Sequence, residues 1–82
     1  MAKRKTYHVR GEWDADAGVW IATSEDVPGL CCEATTFEEL VDTALALVPD
    51  LLAANGVAAP EELAEVPVWV TAERRAVARR VA

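Results

Sequence analysis

The chain predicts an α+β fold: a two-layer sandwich in which a three-stranded antiparallel meander, one long helix and a returning fourth strand share one core. Three observations carry that reading. Residues 36–56 repeat apolar side chains at the three-and-four spacing of one helix face. The segments before them alternate apolar and polar residues and are separated by turn-forming sequence. A β-branched and aromatic segment, VPVWVT, follows them. Eighty-two residues make one domain, assigned to residues 1–72, with 73–82 as a basic C-terminal tail.

In chain order, residues 5–13 set Tyr7, Val9, Gly11 and Trp13 against His8, Arg10 and Glu12, a strand with one apolar face. Residues 14–18 form a hairpin loop, with Gly18 supplying the positive φ that closes it. The second strand spans residues 19–24. Trp20 lies out of phase with Val19 and Ile21 and is expected to face away from the helix. Pro28-Gly29 is the central pair of a type II turn. A third strand over residues 30–35 then runs into the helix cap.

Thr36 followed by Glu39 is a capping box, in which hydroxyl and carboxylate each satisfy an orphan backbone N–H. The apolar face reads Phe37, Leu40, Val41, Ala44, Leu45, Val48, Leu51 and Leu52; Glu38, Glu39, Asp42 and Thr43 lie opposite. Asn55-Gly56 ends the run as a left-handed cap does. Pro49 removes the bond to the Leu45 carbonyl, but the apolar spacing continues past it, so a kink is expected rather than a break. PEEL makes a single turn, and residues 66–71 form the fourth strand, with Pro67 at its start or on an edge. The closing ERRAVARRVA is read as a helical extension or a frayed end.

Charge is sharply partitioned under a net value of −6. Residues 11–65 carry thirteen acids and no Lys or Arg, whereas the last seventeen residues hold Arg74, Arg75, Arg79 and Arg80 against Glu73 alone. An acidic middle repels phosphates and attracts basic partners, so nucleic acid is not expected as the main ligand. MAKRK opens onto polar, alternating residues, and no stretch approaches the ~20 apolar residues of a membrane span. Cys31 and Cys32 are neighbours whose side chains point to opposite faces of a strand, which makes them small hydrophobes of a reducing compartment. The expected setting is the cytoplasm.

The sequence carries little that resembles catalytic chemistry. His8 is the one histidine, and nothing near the two thiols in sequence lowers their pKa. Asp14-x-Asp16-x-Gly18 places its glycine one position early for a calcium loop. One His and two adjacent Cys do not make a zinc site. No phosphate-binding glycine loop or nucleophile elbow is present. Neither enzyme activity nor a catalytic residue, cofactor or metal is expected. What remains is recognition, through an acidic surface of Glu25, Asp26, Glu38, Glu39 and Asp42 that docks a basic protein. Trp20 and Trp69 on a second apolar face are the candidates for a homo-oligomer interface.

Between Tyr7 and Gly56, EWDADAGVWIATSEDVPGL and then EATTFEELVDTALALVPDLLAANG resemble the HicB-like antitoxin family. The match is to its short branch without a DNA-binding domain, a bacterial domain of unknown function. The resemblance covers about fifty of the 82 residues. It implies a partial ribonuclease H-like fold whose fourth strand returns parallel to the first. It also implies dimerisation, and a function in which the domain blocks a small, basic, HicA-like toxin that cleaves messenger RNA. The family offers no catalytic residues to carry over. A stand-alone homo-oligomeric domain without a toxin partner is the alternative.

Overall fold

A computed structural model describes residues 5–81. The hairpin at Asp14 sets the register of its sheet. Gly18 adopts φ 69°, its N–H donates to the Asp14 carbonyl at 2.8 Å, and the Asp14 carboxylate accepts from the N–H groups of Asp16 and Ala17. This clip joins β1 (Tyr7–Asp14) to β2 (Val19–Thr23) as antiparallel neighbours, with Trp13 opposite Trp20 and Gly11 opposite Ala22. Val27 to Leu30 is the expected turn: Gly29 has φ 81°, and the Leu30 N–H reaches the Val27 carbonyl at 3.2 Å. β3 (Cys31–Ala34) then pairs antiparallel with β2.

The helix α1 (Phe37–Ala54) begins where its cap predicts. The Thr36 hydroxyl accepts from the Glu39 N–H at 3.1 Å. The other half of the capping box is replaced, because the Glu39 carboxylate meets the Thr35 hydroxyl instead. Pro49 leaves the helical assignment unbroken, and Gly56, at φ 63°, ends it. Leu40, Ala44, Val48 and Leu52, one turn apart, are fully buried. Leu45, expected on that face, is 43% exposed, and Leu47 packs against the core in its place. The buried stripe follows an i, i+4 ladder, which the wider apolar pattern in sequence blurs.

A short 3₁₀ turn at Pro60–Glu62 stands where PEEL was expected. β4 (Val68–Glu73) starts two residues later than expected, and the Pro67 carbonyl just outside it accepts from the Tyr7 N–H at 3.0 Å. It lies parallel to β1 with Tyr7 opposite Val68, giving strand order β3-β2-β1-β4. The architecture is therefore the predicted α+β one, a mixed four-stranded sheet with one helix on one face. Tyr7, Val9, Ala22, Val27 and Leu30 meet the helix stripe in the core. Gly11 is what lets them close: a Cβ there would lie 3.0 Å from both Leu40 Cδ2 and Phe37 Cε1.

Trp20 corrects the sequence reading. Its ring packs edge-on against Phe37 of α1 at 5.2 Å and against Trp13 at 5.4 Å, so it faces the helix. Residues directly opposite each other across a hairpin share a face, so Trp20 follows Trp13, and it is Val19 and Ile21 that turn outward. Residues 74–81 form neither helix nor strand and are exposed throughout. Among the described residues, no helix is long and apolar enough to cross a membrane.

Candidate functional site

The five acids proposed as one docking surface fall into two groups. Glu38, Glu39 and Asp42 project from the solvent side of the first turns of α1 and are exposed. No cation among the described residues pairs with them; Arg10 and Glu12 pair with each other at 3.0 Å, half-exposed on the open face of the sheet. Glu25 and Asp26 belong to the loop after β2, and that loop lies at the other end of the helix. Asn55, the C-cap of α1, donates to the Pro28 carbonyl at 3.4 Å, and Leu51 lies beside Gly29. An 18-residue helix is roughly 27 Å long, which separates the two groups.

Asp26 has a structural task. β2 leaves the sheet after Thr23, which strips His8 of its ladder partner on that side. The loop supplies substitutes: the Asp26 carboxylate accepts from the His8 N–H at 2.8 Å, and the Ser24 hydroxyl donates to the His8 carbonyl. The same hydroxyl oxygen accepts from the Asp26 and Val27 N–H groups at 3.0 and 3.1 Å. Two side chains thereby finish a β-ladder that the backbone has abandoned.

This loop borders a shallow cleft of about 470 Å³ on the open face of the sheet, lined by His8, Arg10, Thr71, Glu25, Asp26 and Glu73 among others. His8 Nε2 lies 3.2 Å from the Thr71 hydroxyl. Three carboxylates against one guanidinium leave the cleft acidic around the His8–Thr71 contact. The sequence did not single out this cleft. Its members come from three separate segments, and only the tertiary pairing of β1 with β4 assembles them.

The two thiols divide as the strand alternation requires. Cys31 is exposed and Cys32 is half-buried against the core. Burial, and then the adjacent Cys31, push the Cys32 thiol above its ordinary pKa. It is held as the neutral thiol, the opposite of an activated nucleophile. Among the described residues, no group of three or more His, Cys, Asp or Glu is placed to hold a metal ion.

The two tryptophans proposed for an oligomer interface also part company. Trp20 is half-buried under α1, whereas Trp69 on β4 is 69% exposed. Arg74 lies with its guanidinium 5.1 Å from the ring centre of Trp13, extending the aromatic row Phe37–Trp20–Trp13 across the sheet.

Comparison with known proteins places the chain. The crystal structure of hypothetical protein TTHA1013, from the extremely thermophilic bacterium Thermus thermophilus, is similar to it with a TM-score of 0.68 and 43% sequence identity. The similarity covers 93% of this chain and 100% of that one. No curated protein matches. A family described as a domain of unknown function, DUF1902, matches residues 6–81, from the strand that opens the sheet through the arginines that follow β4. The chain belongs to the DUF1902 family.

Proposed function

We propose that the chain is a non-catalytic protein-binding module that docks a basic protein on the solvent side of α1. The observation that carries this is the set of three exposed carboxylates, Glu38, Glu39 and Asp42, with no paired cation among the described residues, in a region of thirteen acids and no Lys or Arg. Opposite charge on a partner would speed encounter and fix its register. The resemblance to the HicB-like antitoxins makes the partner specific: a small, basic, HicA-like toxin that cleaves messenger RNA, neutralised by being covered. The non-catalytic reading is supported by Cys32, whose thiol is kept protonated, and by Ser24, whose hydroxyl is spent on the backbone of His8. The proposed setting is the cytoplasm, where both thiols stay reduced.

Charge reversal tests it. The protein and a Glu38→Lys/Glu39→Lys/Asp42→Lys variant are compared as bait in their own host's extract at low and high salt. The reading expects a small basic protein held by the wild type, released by salt, and absent from the variant. Equal capture by both baits would remove this face from the site.

A stand-alone homo-oligomeric domain is the second reading. The exposure of Trp69 favours it, because an indole left in water on an edge strand is a natural contact for another chain.

A further inference from the structure

The sheet has two edges, and they are built differently. β3 is four residues long and sets Glu33 outward among exposed positions, the usual protection of a free edge. β4 carries no charge until its last residue: Val68, Trp69, Val70, Thr71 and Ala72 precede Glu73. Its outer side makes no backbone hydrogen bond among the described residues, so every second N–H and C=O there is open. Beyond it run residues 74–81, exposed throughout, with Val77 63% and Val81 91% accessible. Arg74 lies over the ring of Trp13, which ties the start of this arm to its own domain.

The arm also shapes the molecule. A chain of 82 residues packs to a radius of gyration of roughly 12 Å, whereas this one reaches 15.4 Å with a long axis of 59 Å. Eight extended residues add roughly 26 Å, so an arm carried away from the sheet accounts for much of the excess. Its composition is that of a strand with cationic flanks: two valines and three alanines fall among four arginines in residues 74–82.

We infer that β4 and this arm pair edge to edge, antiparallel, with the same segment of a second copy of the chain, joining two sheets into one. The inference rests on the homo-oligomeric reading and gives it a surface. It does not use the acidic side of α1, which stays free for another partner. A two-fold axis normal to the sheet at Arg74 sets Glu73 opposite the second copy's Arg75, and Trp69 opposite its Arg79. That gives a charge pair and a cation–ring pair, each formed twice. An axis at Glu73 would instead oppose two carboxylates directly. The central Arg74 side chains are already drawn aside over Trp13.

The test is the mass of the full chain in solution, by light scattering, for the wild type and for Val77→Pro/Ala78→Pro. Consecutive prolines ensure that one of the two removes an N–H facing the second strand. Both positions are exposed and lie outside the core, so the far-UV spectrum should be retained. The inference expects a dimer for the wild type and half that mass for the variant. Amide exchange in the wild type should be slowed at residues 74–81 as well as along β4. A wild-type monomer, or a dimer that survives both prolines, overturns it. So does a monomer that gains mass only when a nucleic acid oligonucleotide is added. A further pair checks the register: Glu73→Arg and Arg75→Glu each weaken the dimer, and the double exchange restores it; failure of the exchange to restore would move the axis away from Arg74.

Discussion

The space between helix and sheet and the two surfaces outside it follow opposite rules. Inside, every buried residue is apolar or glycine; among the described residues no polar or charged one is buried, and Gly11 gives up a side chain so that Phe37 and Leu40 can approach. Outside, the back of α1 is acidic and the open face of the sheet carries Arg10, Glu12, Glu73 and the His8–Thr71 contact. A chain this short buries only about 60% of its unfolded surface, so the interior has little stability to spare. The exposed side chains outside contribute less to that stability, Asp26 beside His8 being a local exception. On the reading proposed above, folding and recognition fall to different sides of the same elements.

Leu40→Ala or Leu52→Ala removes a fully buried side chain from the helix stripe and should cost about 3 kcal/mol in urea unfolding. That is a large part of the total stability of a small domain. Gly11→Val forces a branched side chain against Leu40 and Phe37 and should cost about 2 kcal/mol, read as a lower thermal midpoint.

Asp26 sharpens the boundary, since it is an outer residue with a structural bond. Asp26→Ala should lose about 1 kcal/mol and speed exchange of the His8 amide, whereas Asp26→Asn, which keeps an acceptor, should be nearly neutral. Equal losses for both would mean that charge, rather than the completed ladder, matters there. The adjacent thiols report both sides without disturbing either. Cys31 should alkylate readily in the folded protein, and Cys32 slowly, with its reaction displaced toward higher pH because its thiol pKa is raised. The sign for stability follows. Folding favours the protonated Cys32, so its contribution is complete below the unfolded thiol's pKa and is lost as pH rises through the folded one.

Local signals in the sequence were sufficient for the elements themselves. Thr36, Gly18, Pro28-Gly29 and Gly56 each act through the backbone of their own segment, and each is found in the role its chemistry predicts. Placement across segments was less legible. The alternation within β2 alone misplaces Trp20; the tight loop at Asp14 ties it to Trp13, which shares a face with Val9 and Gly11. Shared charge does not place the acids together, because a helix of 18 residues carries Glu38, Glu39 and Asp42 away from Glu25 and Asp26. Asp26 looked like a free surface charge because the loss of β2's pairing beside His8 is a property of the sheet, invisible in the loop.

The central claim is that the outside of α1 is a binding surface and not merely a solvated one. Its most direct test is the charge reversal of Glu38, Glu39 and Asp42, read for stability and for capture together. Reversal in the first turns works against the helix dipole and should cost only about 1 kcal/mol, leaving the fold intact. The account predicts that this folded variant no longer retains the basic protein that the wild type holds at low salt and releases at high salt. A folded variant that retains the same protein with the same salt dependence would contradict it.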